Sequence, residues 1–169
     1  MNLYNHHSNP EKLKHHDVAH EKVPKLIWEK YKNLPEIKKY KDVLAKDPKY
    51  AYNYAAFVDR DRFIEGEKAI ATDAFYSCLY AMDVIRGPFP KGEKIISLDP
   101  ATALDYARFA IKGRFPEGEK AIASDPWYAY TYACHVIKGR FPEGEKVLMT
   151  DLKYKHRYID CLAKKGIHL

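Results

Sequence analysis

A spacing of 26 residues recurs along most of the chain and limits its fold more than any other feature. Aspartate and tyrosine each recur five times at this spacing, at Asp47, Asp73, Asp99, Asp125 and Asp151 and at Tyr54, Tyr80, Tyr106, Tyr132 and Tyr158. Phenylalanine and a Gly-Glu-Lys triplet each recur four times, at Phe63, Phe89, Phe115 and Phe141 and from Gly66, Gly92, Gly118 and Gly144. Several residue types that each recur at the same spacing predict a tandem-repeat protein. Copies are numbered below from the one that begins at Asp47, and positions within a copy are counted from its aspartate, which is offset 0.

Each copy predicts a long helix followed by a short one. In the fourth copy, Asp125 supplies an N-cap acceptor and Pro126 suits the first helical position, where its missing N–H costs nothing. The long helix then runs to Lys138, and we expect Gly139 to end it in the left-handed conformation. Pro142 begins the short helix after a Gly-Arg-Phe turn. The sequence therefore predicts an all-α fold, an α-solenoid of 26-residue helix–turn–helix repeats with atypical terminal caps.

The two ends of the chain depart from this pattern, as the terminal repeats of a solenoid do. We divide the chain into a polar His-rich N-terminal arm, an N-terminal pair of capping helices, four repeats and a C-terminal capping half-repeat, over residues 1–23, 24–46, 47–150 and 151–169. The capping pair is expected to form one helix over 24–33 and another over 35–46. The arm shows no apolar stripe at helical spacing, and we expect it to be mobile or loosely docked.

One side of each long helix is predicted to be buried. At 100° per residue, offsets 4, 7, 8 and 11 lie within about 100° of one another and hold small residues around one tyrosine. In the fourth copy these residues are Ala129, Tyr132, Ala133 and Val136. We therefore expect the tyrosine column to pack in the core, with each hydroxyl bonded to a local acceptor. The alternative is a ladder of rings on which the bases of a single strand would stack.

The glycine of each Gly-Glu-Lys triplet lies inside a predicted helix, where glycine costs roughly 0.5–1 kcal/mol relative to alanine. A glycine kept at this cost in every copy indicates a compensating interaction. The simplest is a backbone contact too close for a Cβ, and the alternative is an anion bound at the helix N-terminus.

The charge of the chain is unevenly distributed. The net charge is +6, of which residues 1–46 carry +4, residues 47–150 carry −1 and residues 151–169 carry +3. Counterion release by a nucleic acid requires Lys and Arg along the contact path. The nearly neutral repeats therefore weaken the case for a nucleic-acid-binding face without excluding one.

Membrane insertion, secretion and cysteine-based frameworks are not expected from the sequence. The uncharged runs are too short to span a bilayer, and the N-terminus has no apolar segment of the kind found in signal peptides, so we expect a cytoplasmic protein. The three cysteines form no Cys-x-x-Cys pair and their number is odd. We therefore expect neither a disulfide framework nor a cysteine-based zinc site.

A basic residue stands at offset 13 of every copy, at Arg60, Arg86, Lys112, Lys138 and Lys164. Such a column would track phosphates together with the arginines two residues further on, and the candidate anion-binding residues are Arg86, Lys112, Arg114, Lys138 and Arg140. The alternative is structural. Cations complement the negative ends of the long helices and pair with the glutamate column formed by Glu67, Glu93, Glu119 and Glu145.

Offsets 2, 6 and 9 vary from copy to copy and face away from the predicted core. Variable exposed positions are where a solenoid carries its binding specificity. Aromatic and methionine residues flanked by arginine are typical of interface anchors, and the candidate partner-binding residues are Phe75, Leu79, Met82, Arg108 and Trp127. The alternative is that this side packs against the short helices.

The sequence contains no catalytic motif that we recognise: no Gly-rich phosphate loop after a strand, no nucleophile elbow and no His-Glu-x-x-His. We therefore expect no enzyme and no cofactor. The N-terminal arm holds a histidine cluster, His6, His7, His15, His16 and His20. His16 and His20 would face the same way on a helix, but no third ligand stands at a fixed spacing, so we favour a solvated tail over a metal site.

The stretch IKGRFPEGEKAIASDPWYAYTYA, residues 111–133, resembles a family of short tandem-repeat proteins of tailed and giant phages. Their units read Tyr-Ala, then Val-Ile-Lys-Gly-Arg-(Phe or Trp)-Pro-Glu, then Asp-Pro, and the resemblance covers residues 40–165. It implies a viral protein that acts inside a bacterial cell, where small non-enzymatic proteins bind and block host machinery such as defence proteins. The resemblance carries over no functional residue, because the shared pattern consists of framework positions.

The sequence thus favours a non-catalytic helical-repeat protein that binds a protein partner of the host or of the phage. The second hypothesis is a single-stranded nucleic-acid-binding protein that uses the basic column and the basic ends of the chain. A third hypothesis is a protein that sequesters nucleotides or anions at the Gly-Glu-Lys helix starts.

Overall fold

A computed structural model of the chain describes residues 18–169, in which all regular structure is helical and no strand occurs. The α-helices are α1 (Val18–Tyr31), α2 (Lys41–Leu44), α3 (Pro48–Asn53), α4 (Glu67–Ile70), α5 (Ala74–Leu79), α6 (Pro90–Ile96), α7 (Pro100–Asp105), α8 (Pro116–Ile122), α9 (Pro126–Tyr132), α10 (Pro142–Thr150) and α11 (Leu152–Ala163). Four of them continue directly as π-helices, over Tyr54–Asp59, Tyr80–Ile85, Tyr106–Ala110 and Ala133–Ile137. In this part of the chain no helix combines the length and the apolar character needed to cross a membrane. The predicted all-α class is confirmed.

Each long helix begins at an aspartate of the 26-residue column. The carboxylate of Asp99 accepts a 2.8 Å hydrogen bond from the backbone N–H of Thr102. The other four aspartates cap their helices in the same way, Asp47, Asp73, Asp125 and Asp151. These carboxylates satisfy N–H groups that have no partner within the helix, so the predicted N-caps are confirmed.

The first four long helices end in the left-handed conformation one residue earlier than predicted. The left-handed residue is the basic one at offset 13, with φ of 54°, 58°, 52° and 57° at Arg60, Arg86, Lys112 and Lys138. The prediction that Gly139 takes this role is therefore wrong. Its N–H instead donates a 3.1 Å hydrogen bond to the Ala133 carbonyl six residues back. In this Schellman-type closure the residue before the donor is the left-handed one.

The π-helical turns also change which positions are buried. Offsets 4, 7 and 8 are buried in the first four copies, as predicted. Offset 11 is buried at Ala110 but only half-buried at Val58, Val84 and Val136. In a π-helix each hydrogen bond spans five residues, so successive side chains are rotated by less than 100° about the helix axis. Side chains after the tyrosine therefore face directions that the α-helical value of 100° per residue does not predict. The predicted stripe is therefore correct only before the change of helix type.

The helices pack as adjacent pairs and as neighbours from copy to copy. The long helices α3, α5, α7 and α9 pack on the short helices that follow them, α4, α6, α8 and α10. Each long helix also contacts the next long helix, and each short helix contacts the next short helix. The last long helix, α11, packs on both α9 and α10.

A glycine brings each short helix against its long helix. A Cβ on Gly118 would lie 2.5 Å from Phe115 Cδ1 and 2.9 Å from Ala103 Cβ. The glycines at the equivalent positions, Gly66, Gly92 and Gly144, are equally crowded. Separations this short leave no room for a side chain. The predicted close contact is confirmed as the reason for glycine at this position.

The N-terminal region differs from its predicted boundaries. Residues 1–17, which make up most of the predicted arm, lie outside the described residues. Helix α1 begins at Val18, so the last six residues assigned to the arm, 18–23, are helical, and Pro24 lies inside the helix. The polar residues that precede Pro24 carry no apolar periodicity, which is why they were not expected to be helical. The predicted helix over 35–46 is a 3₁₀-helix over Pro35–Tyr40 followed by α2.

A disulfide joins Cys134 to Cys161, which corrects the expectation from the odd cysteine count. The two residues are 27 positions apart, one repeat spacing plus one, and their Cα atoms are 6.3 Å apart. They lie on neighbouring long helices, so packing brings together two positions that no local motif pairs. Cys78 is buried and free.

Candidate interaction surface

The tyrosine column is buried and links each copy to the preceding one. Tyr54, Tyr80, Tyr106, Tyr132 and Tyr158 are at most 1% exposed. The Tyr106 hydroxyl accepts a 2.8 Å hydrogen bond from the Phe89 N–H and donates a 2.6 Å one to Glu93 Oε1. The same pair of bonds forms at Tyr80, Tyr132 and Tyr158. We call this arrangement the tyrosine latch.

Burial of the latch confirms core packing for the tyrosines and removes the stacking ladder. A ring without exposed surface cannot stack on a base. Burial also raises the pKa of Tyr80 and of Tyr158 to about 12, with a further contribution from the adjacent glutamate. The hydroxyls therefore stay protonated and can act as donor and acceptor together.

Two of the candidate anion-binding residues, Arg114 and Arg140, pair with glutamates of the latch. Arg114 binds Glu119 through two bonds of 2.8 and 2.9 Å, and Arg140 binds Glu145 through two of 2.8 and 2.7 Å. In the first copy, Nε and Nη2 of Arg62 both donate to Glu67 Oε1. Two-point pairing of this kind uses the guanidinium face that would otherwise bind phosphate. These arginines therefore hold the turn before the short helix in the first, third and fourth copies.

The second copy replaces this arginine with Pro88. Lys91 instead reaches back to the preceding copy, where its Nζ lies 2.8 Å from Glu67 Oε2. Glu67 is fully buried and also pairs with Arg62. Burial alone would raise the pKa of the Glu67 carboxyl, but its bonds to Lys91 and Arg62 outweigh this and lower the pKa.

The remaining three candidate anion-binding residues, Arg86, Lys112 and Lys138, are exposed and fall into two separate grooves between neighbouring long helices. Lys112 and Lys138 line a groove of about 400 Å³ together with Ala107, Arg108, Phe109, His135 and Val136. Arg86 lines a groove of about 310 Å³ with Ala55, Ala56, Arg60, Asp83 and Val84.

Two of the candidate partner-binding residues are exposed aromatics at offset 2. Phe75 is 48% exposed and Trp127 is 46% exposed. Each ring lies edge-on against the following tyrosine, with centroids 5.3 Å apart for Phe75 and Tyr76 and 4.8 Å apart for Trp127 and Tyr128. This contact holds both rings at the surface without burying them.

The other three candidate partner-binding residues are half-buried. Leu79 and Met82 pack against the core, and the Cys78 thiol lies 3.6 Å from Met82 Sδ. The Arg108 guanidinium lies over the Phe109 ring at 4.7 Å. These three candidates therefore offer less surface to a partner than Phe75 and Trp127 do.

Sequence reasoning missed the exposed aromatics at offset 10. Phe57 is 63% exposed and Phe109 is 44% exposed, and both lie in the π-helical half of a long helix. At 100° per residue, offset 10 was assigned neither to the buried stripe nor to the candidate binding surface. The sequence signal that could have identified this surface is that two copies hold phenylalanine at offset 10.

Metal binding by the N-terminal arm falls outside the described part of the chain, since His6, His7, His15 and His16 belong to residues 1–17. Among the residues that are described, no group of three or more His, Cys, Asp or Glu could hold a metal ion. Comparison with known proteins adds no assignment: no family model, no curated protein and no solved structure matches the chain.

Proposed function

We propose that this chain is an α-solenoid of 26-residue repeats, encoded by a phage, that binds a host protein without catalysing a reaction. The tyrosine latch supports the solenoid. Its hydrogen bonds span 17 and 13 residues at every occurrence, so each long helix is tied to the turn and short helix of the copy before it. Repeated contacts between nearest neighbours are the defining feature of solenoids.

The observation that carries the binding proposal is the exposure of Phe75 and Trp127 on otherwise well-packed helices. Aromatic side chains of this kind dominate the binding energy of protein interfaces, since they bury a large area at a low cost in conformational entropy. Their contacts with Tyr76 and Tyr128 hold the rings in place before binding. A preorganised anchor loses less entropy when a partner covers it.

Single-stranded nucleic acid is the second candidate ligand, and its phosphates would bind in the groove of Lys112 and Lys138. The other features predicted to bind a nucleic acid do not support this ligand. The stacking rings are buried, and the arginines at offset 15 already bind carboxylates. A third candidate, a nucleotide or anion at the Gly-Glu-Lys helix starts, has to compete with the glutamates that occupy those turns.

Affinity capture from a bacterial lysate tests the proposal. The wild-type protein and a Phe75→Ala/Trp127→Ala variant are compared, with Leu152→Ala as a control because Leu152 is an exposed apolar residue outside the proposed anchors. We expect a host protein to bind the wild type and the control but not the double variant. Equal recovery by all three would contradict the use of these anchors. Tight binding of a labelled oligothymidine that weakens steeply between 50 and 200 mM salt would favour nucleic acid instead.

A further inference from the structure

We infer that the groove between the third and fourth long helices is a docking site for an acidic, carboxylate-rich segment of the protein partner. This inference rests on the proposed function, because it names the chemistry of the partner segment. The groove is lined by Ala107, Arg108, Phe109 and Lys112 from one helix and by His135, Val136 and Lys138 from the next. We call it the basic groove.

The charge of the basic groove is the first argument. Arg108, Lys112 and Lys138 are basic residues, and no carboxylate is among the lining residues. The two helix C-termini that flank the groove contribute about half a negative charge each. Three cations exceed this, so dipole complementarity alone does not account for them. A carboxylate ligand would supply the missing negative charge.

The chemistry of individual side chains is the second argument. The Arg108 guanidinium lies over the Phe109 ring at 4.7 Å, which orients a planar group able to bind a carboxylate through two bonds. The Phe109 ring is itself 44% exposed and offers an apolar contact beside the cations. The groove therefore suits a segment that combines acidic and apolar side chains.

The equivalent groove between the first and second long helices provides an internal comparison. Its lining residues include Arg60 and Arg86 at offset 13, but Ala56 replaces Arg108 and Asp83 replaces His135. The Tyr52 hydroxyl donates a 2.7 Å hydrogen bond to Asp83 Oδ2, which holds this carboxylate in place. We call this the Asp83 groove. It lies at the equivalent place between two long helices but lacks the excess of positive charge of the basic groove.

The same comparison favours an acidic peptide over a nucleic acid as the occupant. A nucleic acid requires cations along an extended path. Here three cations without a carboxylate line one groove of about 400 Å³, whereas Asp160 accompanies the cations of the adjoining groove and Asp83 stands at the matching position two copies away. A short peptide segment needs only the one groove.

Fluorescence anisotropy with labelled peptides tests the inference. The probes are Glu-Glu-Phe-Glu-Glu and its uncharged counterpart Gln-Gln-Phe-Gln-Gln, at 50 mM salt. We expect the acidic peptide to bind at least about tenfold more tightly than the uncharged one. A Lys112→Glu/Lys138→Glu variant is expected to lose this preference. The matched control is Arg60→Glu/Arg86→Glu, which makes the same change in net charge at residues with the same left-handed backbone. Its affinity for the acidic peptide should stay within about twofold of the wild-type value.

A gain of binding provides a test that does not depend on a loss. Ala56→Arg with Asp83→Asn should convert the Asp83 groove into a second site, because it adds the guanidinium and removes the charge but keeps an acceptor for Tyr52. The expected stoichiometry rises from one peptide per chain to two. Equal effects of the two charge reversals, no preference for the acidic peptide, or tighter binding of an oligothymidine to the basic groove would each overturn the inference.

The outcomes separate this inference from the proposed function. Loss of host-protein capture in the Phe75→Ala/Trp127→Ala variant, together with no peptide binding, would overturn only the docking site. Specific peptide binding with capture unaffected by that variant would keep the docking site and overturn the proposed anchors. Circular dichroism and thermal unfolding of each variant confirm that it is folded.

Discussion

The Tyr106 hydroxyl lies 2.6 Å from Glu93 Oε1, and these two residues belong to different copies of the sequence pattern. The same hydroxyl accepts a 2.8 Å bond from the Phe89 N–H, so one buried group satisfies a side chain and a backbone amide of the preceding copy. Leaving either partner unsatisfied in the core is costly. The stability of each short helix therefore depends on the long helix that follows it.

Truncation of Tyr106 tests the tyrosine latch. Tyr106→Ala should lower the free energy of unfolding by about 3–5 kcal/mol, because it removes a buried aromatic ring. Tyr106→Phe should lower it by about 1–3 kcal/mol, because the ring stays but the Phe89 N–H loses its acceptor. Denaturant unfolding monitored by circular dichroism measures both changes. Phe57→Ala is the control, since its exposed ring should contribute less than about 0.5 kcal/mol.

Substitution of Gly118 tests the close contact between paired helices. Gly118→Ala should lower the free energy of unfolding by about 1–3 kcal/mol, although alanine favours helix, because the new Cβ would overlap the Phe115 ring and Ala103. Gly113→Ala is the matched control, since its nearest neighbour to a new Cβ is 3.8 Å away. Thermal unfolding should therefore show a lower unfolding temperature for Gly118→Ala than for Gly113→Ala. A Gly118→Ala protein as stable as the wild type would show that the short helix can move away.

The ion pair between Arg140 and Glu145 should make part of the stability depend on pH. The bonds from the Arg140 guanidinium lower the pKa of the Glu145 carboxyl below its ordinary value, against a smaller opposing effect of burial. A lowered pKa stabilises the folded state above the ordinary value of about 4.3, and this contribution is lost as the pH falls through the lowered pKa.

A pH series of unfolding temperatures measures this contribution. Glu145→Gln should be less stable than the wild type at pH 7, and the difference should shrink below about pH 4. Glu143→Gln on the same helix is the control, since the structure gives Glu143 no ion pair among the described residues. A difference for Glu145→Gln that stays constant down to pH 2 would contradict the role of the charge.

The disulfide between Cys134 and Cys161 should stabilise the last helix. It closes a loop over a sequence separation of 27 residues, for which chain entropy gives about 3.5 kcal/mol. Dithiothreitol should therefore lower the unfolding temperature of the oxidised wild type. It should leave that of Cys161→Ser unchanged. Equal effects of the reductant on both proteins would show that the bond is not the cause.

The framework could be predicted from sequence because it uses residue types whose chemistry is local. The sequence predicts Asp125 as an N-cap, Pro142 as the first residue of a short helix and Gly118 as the point where the paired helices approach closely. The structure confirms each role. Burial of Tyr106 followed from its position among small residues on one helical face.

The candidate surface could not be predicted to the same extent, because it depends on the change from α-helix to π-helix after the tyrosine. No residue type marks this change, and it exposes Phe109 while shifting the helix end to Lys138. The pairing of Arg114 with Glu119 likewise depends on how the turn folds back on the short helix. The disulfide depends on the packing of two helices that are distant in sequence.

The affinity of the captured partner for a Phe75→Ala/Trp127→Ala variant tests the central claim most directly. If these rings anchor a protein interface, the loss should reach about 2 kcal/mol, which raises the dissociation constant about 30-fold. Leu152→Ala should leave the dissociation constant unchanged within about twofold. An unchanged dissociation constant for the double variant, in a protein that remains folded, would contradict the claim that this surface binds the partner.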